Sequence, residues 1–318
     1  MRKRPKKAEG SEAQAGADRG PVPVHLGYPK AASTWLQQEV FSAPGSGLCT
    51  PWDRLAFISP GRCAAARGWT DPGADAAAAA GAVARGREQA AAAGCSAVLS
   101  EETLVGYLGD PGVDADRLGR LAALAPDARY LLCVREPAGM ARSAHGQQVL
   151  DGGTCGPGFF LGDPGAEPTG RDHRRLHRPY LDASAVAAAL PPGSPLEVID
   201  AGWLRTDPRR LHAALARWAG RPLPGFDARR RVNRSPGPAG TELLRRLNAV
   251  WPRRGPWEPR SPATRRRLAL LADAAAERLT PRRCERLRHE LHQAANHFAA
   301  GTDNGTQERE PAPPQAAC

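Results

Sequence analysis

No stretch of this sequence approaches the roughly 18 to 20 uninterrupted apolar residues that a membrane-crossing helix needs. The basic start Arg2-Lys3-Arg4-Pro5-Lys6-Lys7 runs into polar residues where a secretory leader would turn apolar, so a soluble cytoplasmic protein is expected. A C-x-x-C pair is also missing: the seven cysteines (49, 63, 95, 133, 155, 284 and 318) are odd in number and scattered. That pattern argues against a disulfide framework or a thiolate metal site and predicts free thiols in a reducing compartment. The H-E-x-x-H metal spacing is absent, because His289-Glu290-Leu291-His292 separates its two histidines by three residues instead of four. His173 and His177, in a Gly/Pro/Arg-rich stretch, offer no better ligand pair, so no metal is expected. Aromatic residues are scarce at 5%, and few interleave the clusters Arg229-Arg230-Arg231 and Arg265-Arg266-Arg267. With no helix-turn-helix or zinc pattern either, a nucleic-acid partner is not expected.

What is present suffices for a large core. The chain has 318 residues, 41% of them hydrophobic and only 24% charged, which is too apolar for a disordered basic polymer. Residues 1–20 and 301–318 lack periodicity and read as disordered tails, leaving one domain over 21–300. The tails carry +3 and −2, so the domain itself holds +10 of the total +11, a field suited to an anionic partner.

Four short apolar runs predict buried strands: Val22 to Leu26, Ala97 to Ser100, Tyr130 to Val134 and Leu196 to Asp200. From 206 onward the signals are helical. Thr206 reads as an N-cap before Leu211, Leu215 and Trp218, and Gly220 as the stop. Ser261-Pro262 and Thr280-Pro281 read as further helix starts. Leu268, Leu271, Ala275 and Leu279 are expected on one buried face, and Cys284, Leu287, Leu291 and Phe298 on the next. Strands alternating with helices predict an α/β fold, a parallel β-sheet flanked by helices, with a helical C-terminal part.

The most informative segment runs from Val24 to Gln37: an apolar strand, the turn Gly27-Tyr28-Pro29-Lys30-Ala31-Ala32, then a helical start at Ser33-Thr34-Trp35. A helix beginning there aims free backbone N–H groups at the turn, and Lys30 with two hydroxyls adds donors for a phosphate-like anion. The Walker spacing is absent, since Lys30 precedes the hydroxyl pair by three and four residues. A second turn, Arg135-Glu136-Pro137, follows the strand Tyr130 to Val134, with Ser143 eight residues beyond Arg135 on the ensuing helix. Arginine at a strand's carboxyl end stands where open α/β sheets bind ligands.

Tyr28-Pro29-Lys30-Ala31-Ala32-Ser33-Thr34-Trp35 resembles the 5′-phosphosulfate loop of the sulfotransferases that use 3′-phosphoadenosine 5′-phosphosulfate (PAPS), written Y-P-K-x-G-T-T-W. The departures are Ala32 for Gly and Ser33 for Thr; Ala32 is tolerated if its backbone is already helical and needs no positive φ. Arg135 and Ser143 resemble the same family's 3′-phosphate motif. Arg231-Val232-Asn233-Arg234-Ser235 is similar to its late basic loop, and Ser100-Glu101-Glu102 to the S-x-E segment of its bacterial and carbohydrate branches. The similarity covers roughly residues 22–235 and implies a P-loop NTPase-like sulfotransferase fold. It further implies that Lys30 stabilises the leaving phosphate while Ala31, Ala32, Ser33 and Thr34 hold it. Trp35 would stack on adenine, Arg135 and Ser143 bind the 3′-phosphate, and Glu102 act as base, with Glu101 and then His145 in reserve. The acceptor would be a hydroxyl of a small molecule, carbohydrate or lipid.

Two rival readings fit parts of this pattern: a nucleotide-dependent kinase with a non-Walker phosphate loop, and a basic nucleic-acid-binding protein. The segments 41–95 and 146–190, weakly periodic and rich in small residues, are expected to be loops that line or cover an acceptor pocket.

Overall fold

The computed structural model describes residues 20–28, 30–52, 63, 65–106, 112–162, 166, 176, 182–230 and 236–250, and fifteen helical positions within 267–296; Leu287, Leu291 and Phe298 lie outside the described residues. Both tails, Pro29, the 231–235 loop, His173, His177, Cys284, Cys318 and the helix starts at 261 and 280 lie outside the described residues.

The chain opens with β1 (Pro23–His25), α1 (Ser33–Leu36) running straight into a π-helical segment Gln37–Phe41, then β2 (Leu48–Cys49), α2 (Ala65–Trp69) and α3 (Ala76–Ala92). It continues through β3 (Ser96–Ala97), β4 (Leu99–Ser100), α4 (Ala115–Leu124), β5 (Arg129–Val134) and α5 (Pro137–Leu150). After α6 (Pro157–Phe160) and α7 (Ala183–Ala189) come β6 (Leu196–Asp200), α8 (Trp203–Thr206), α9 (Pro208–Ala219) and α10 (Pro238–Val250).

Four strands form one parallel sheet in the order β4-β1-β5-β6, with helices on it, so the chain is an α/β protein. The register pairs Val24 with Leu99 on one side and with Tyr130 on the other, which aligns the carboxyl ends of β4, β1 and β5. From β1 the chain first builds outward to β4 and then crosses to the opposite side for β5. The switch point of the sheet therefore lies between β1 and β5, where open α/β sheets leave a crevice at their carboxyl edge.

Residues buried on both faces explain the near-continuous apolar strands. Val24, Leu131 and Leu132 are fully buried, and Leu118, Leu121, Leu211 and Leu215 pack over the sheet from α4 and α9. Truncating one of these leucines to alanine is the kind of change that costs about 2–5 kcal/mol. Asp207, not Thr206, caps α9: its carboxylate accepts from the Arg210 amide at 3.0 Å, Pro208 takes the first helical position, and Gly220 ends the helix at φ 66°.

Three further expectations are corrected. First, Cys49 and Cys95 form a disulfide, with Cα atoms 6.0 Å apart, because β2 and β3 pair side by side and bring the two residues together across 46 positions. Cys63, Cys133 and Cys155 are buried and stand outside that bridge. Second, 41–95 and 146–190 are not merely loops. Asp75 caps the 17-residue α3 by accepting from the Ala77 and Ala78 amides, and alanine's intrinsic helix propensity does what periodicity did not announce. Third, Leu271 and Ala275 are exposed whereas Ala272 is buried, so the buried face is turned by one residue; Leu268 and Leu279 lie outside the described residues.

Candidate functional site

The turn after β1 is tight and left-handed at two non-glycine residues, Lys30 at φ 72° and Ala32 at φ 64°, ψ 12°. This corrects the expectation of a helical Ala32. The left-handed region costs an L-residue about 1–2 kcal/mol, so the Gly of the resembling motif answers a real backbone demand that alanine meets under strain. The conformation turns the chain abruptly from strand into α1, whose cap position contributes no side-chain hydrogen bond. The first-turn amides of Ser33, Thr34 and Trp35 thus lack intrahelical acceptors and face the turn. At α5 the opposite holds: Glu136 closes that helix start itself, accepting from Ala138 and Gly139 at 2.9 and 2.7 Å.

The loop is anchored from below. Tyr28 is buried, and its hydroxyl donates to the Asp182 carbonyl at 3.2 Å; burial, with Asp182 nearby, pushes its pKa far up, so it stays a neutral donor. Ser33, buried as well, donates from Oγ to the Tyr28 carbonyl at 3.2 Å. Ala31 is fully buried, and Ala32 and Thr34 are partly exposed at the turn.

Lys30 and Arg135 come together. Lys30 Nζ donates to Gln147 Oε1 at 2.5 Å, and Arg135 Nη1 donates to the Lys30 carbonyl at 3.4 Å. The two turns after β1 and β5 therefore meet at the switch point of the sheet. Burial first, then the neighbouring cations Arg205 and Arg142, lower the Arg135 pKa against the opposing influence of Glu136. A guanidinium remains protonated throughout the ordinary pH range, so the unfavourable environment amounts to a local demand for an anion. Ser143 is half-buried on α5, one turn before Gln147 on the same helix face.

The carboxylates lie at the end of β4, beside β1. Glu101 is 1% exposed; its amide donates to the His25 carbonyl at 3.3 Å, and its Oε1 accepts from the Thr103 amide and hydroxyl at 3.3 and 3.1 Å. Glu102 is half-buried in the turn that follows. His145, the last candidate for the base, is buried, with Nε2 2.9 Å from the Cys155 carbonyl and its ring 5.5 Å from Phe160 in a second core. Trp35 is only 5% exposed and meets Phe226 edge to face at 4.9 Å, so the indole is part of the core wall at this edge.

Sequence reasoning missed Gln147, Arg142, Arg205 and Phe226. Gln147 carried a readable signal, since it stands four residues after Ser143, but Arg205 and Phe226 reach this edge only through tertiary packing. A cavity of about 560 Å³ lies at the opposite, amino edge of the sheet, lined in part by Ser96, Arg129 and Arg221. Arg221 there is already committed, donating to the Gly47 carbonyl at 2.7 Å, and the polar groups of interest all lie at the other edge. Among the described residues no group of three or more His, Cys, Asp or Glu is placed to hold a metal ion, and no helix is long and apolar enough to cross a membrane. Compared with protein-family models, curated proteins and solved structures, the chain matches none.

Proposed function

We propose that the chain is a PAPS-dependent sulfotransferase of P-loop-like fold that moves a sulfuryl group to the hydroxyl of a small molecule, carbohydrate or lipid. The observation that carries this reading is the contact between Arg135 and Lys30, which joins the two phosphate-type turns at one sheet edge. The donor set fits an anionic nucleotide: one ammonium, an uncapped helix start, two hydroxyls and a guanidinium short of negative charge. Lys30, Ser33, Thr34 and the loop amides would hold the 5′-phosphate end, Arg135 and Ser143 the 3′-phosphate. Trp35 and Phe226 would border the base by an edge, since a stacked arrangement needs the indole to open from its buried position.

In the transfer, the acceptor oxygen forms a bond to sulfur as the bond from sulfur to the 5′-phosphate oxygen breaks. The leaving oxygen keeps the electron pair and is stabilised by Lys30, and the acceptor's proton passes to Glu102. Positioning and charge stabilisation supply most of such catalysis, as in phosphoryl transfer. The disulfide Cys49–Cys95 removes the free-thiol argument for a reducing compartment, and an oxidising one suits this chain equally.

Titration calorimetry with PAPS and with adenosine 3′,5′-bisphosphate tests the reading. Micromolar binding of either is expected; no binding of either overturns it, and preferential binding of ATP would transfer the site to a kinase. With an acceptor found by screening against sulfur-labelled PAPS, Glu102→Gln is expected to lower turnover about 100-fold or more without changing the bisphosphate Kd. Unchanged turnover would pass the role of base to Glu101 or His145.

A further inference from the structure

Beneath the loop lies a buried polar chain that none of these roles uses. His25, the last residue of β1, is fully buried, as is Ser100 at the end of β4, its register partner. Gln37 Nε2 donates to Ser100 Oγ at 3.1 Å, and Ser100 Oγ stands 2.9 Å from His25 Nδ1. Ser100 Oγ could accept from both Gln37 and an Nδ1–H, but the assignment that also gives the Ser100 hydroxyl proton an acceptor has it donate to Nδ1. Nδ1 is then an acceptor, and the neutral ring carries its proton on Nε2.

That Nε2 is buried and has no hydrogen-bond partner among the described residues, a state that costs about 1–3 kcal/mol and calls for an explanation. The absence of a side chain at Gly27 leaves room for it beside the loop. A β-carbon on Gly27 would lie 2.8 Å from His25 Nε2 and 2.3 Å from Ser33 Oγ, so the ring nitrogen and the loop hydroxyl flank one point on the backbone. Any side chain at 27 would collide with both. Ser33 meanwhile directs its hydroxyl proton back to the Tyr28 carbonyl, away from any ligand.

We propose that His25 is a positioning residue that arms Ser33 for anion binding. When an anion enters the loop, Ser33 turns its O–H from the Tyr28 carbonyl to the anion, and His25 Nε2–H becomes the donor to Ser33 Oγ. The result is one directed chain, Gln37 to Ser100 to His25 to Ser33 to anion, in which each hydroxyl accepts before it donates. Such chains polarise their members, so the terminal donor is strengthened. Because Ser100 directly precedes Glu101 and Glu102, the same chain sets the carboxylate turn against the loop. The inference rests on the reading of the loop as an anion site and adds how its hydroxyl is controlled.

The test combines a double-mutant cycle with a spectroscopic signature in the full chain, using adenosine 3′,5′-bisphosphate as the probe. His25→Phe and Ser33→Ala are each expected to raise the Kd about tenfold, and the double variant no further than either alone. Additive losses in the cycle overturn the role, because a merely structural histidine weakens binding whether or not Ser33 carries its hydroxyl. Should His25→Phe fold poorly, nitrogen NMR of the wild-type imidazole decides: the protonated nitrogen is expected to be Nε2, its resonance moving on addition of the bisphosphate. A ring protonated on Nδ1, or a resonance indifferent to bound probe, overturns the proposal while leaving the anion site intact. A wild-type chain that binds no bisphosphate overturns the anion reading itself, and this role with it.

Discussion

Arg135 holds the carbonyl of Lys30 across 3.4 Å, so the cation that ends β5 is bonded to the backbone of the residue that carries the cation after β1. Two residues 105 positions apart thus share one small volume at the sheet's carboxyl edge. The half-buried Arg135 guanidinium also lies near the cations Arg205 and Arg142, a crowding of positive charge that favours an anion at this edge.

It follows that Lys30→Met and Arg135→Met each weaken binding of adenosine 3′,5′-bisphosphate about tenfold or more in calorimetry. Each should shift the thermal midpoint only slightly, since both side chains are half-buried polar groups at the sheet edge, outside the core. Together they should be non-additive, because Arg135 also holds the backbone of Lys30 and its loss disturbs the turn that carries the lysine. Strict additivity would mean that the two turns serve separate ions.

Backbone strain at the loop gives a second expectation. Replacing the left-handed Ala32 by glycine relieves a conformation that L-residues avoid, offset in part by the greater freedom of glycine in the unfolded chain. A net gain of about 0.5–1 kcal/mol is expected in urea unfolding. A loss of stability would show that the methyl group of Ala32 packs to more effect than its φ angle costs.

The disulfide makes a third. Closing a loop of 46 residues between Cys49 and Cys95 restricts the unfolded chain by about 4 kcal/mol on the chain-entropy account. Reduction, or the change Cys95→Ser, should lower the thermal midpoint by several degrees, and non-reducing peptide mapping should recover the linked pair. A midpoint insensitive to reductant would mean that the bridge does not form in solution.

Acid sensitivity supplies a fourth. Burial lowers the His25 pKa from its ordinary 6.5 to about 3. The native state therefore refuses a proton that the unfolded chain accepts below 6.5. The neutral ring's contribution is fully present above that value and declines progressively as pH falls toward 3. At pH 5 the wild type should have lost about 2 kcal/mol from this group relative to pH 7.5, a loss that His25→Gln does not suffer. Equal urea midpoints for the two proteins across that range, after correction for their difference at pH 7.5, would place the His25 ring in contact with water.

Legibility in the sequence followed local physics. Leu196 to Asp200 is an unbroken strand in the sequence and in the structure because its run of residues has no competing cap or turn. Tyr130 to Val134 needed only Arg129 added. Ala97 to Ser100 divides instead into β3 and β4, since Val98 donates to Cys49 across one sheet while Leu99 pairs with Val24 in the other. β2, two residues long, has no period to read. At the site, Lys30 and Arg135 were visible because each lies in the turn that leaves a strand. Glu101 and Glu102 were visible for the same reason, although which of them faces a substrate is decided by the turn that follows. The left-handed Ala32 was not legible, because alanine's own preference is helical and only the packing of Tyr28 and Ala31 beneath it forces the turn. Nor was the buried state of His25 and His145, which depends on neighbours 75 and 10 positions away.

Helix α5 reaches in two directions. Gln147 meets the Lys30 ammonium, while Val149 and Leu150 pack against Leu244, and Asn248 donates to the carbonyls of Val149 and Gly153 at 2.8 and 3.0 Å. The lysine that would meet a ligand thus takes its bearing from a brace supplied by α10, far downstream. A shortened polypeptide ending after β6 would keep every strand of the sheet and both phosphate-type turns, yet lose that brace. The brace on Gln147 accordingly comes from well past β6, the last strand among the described residues.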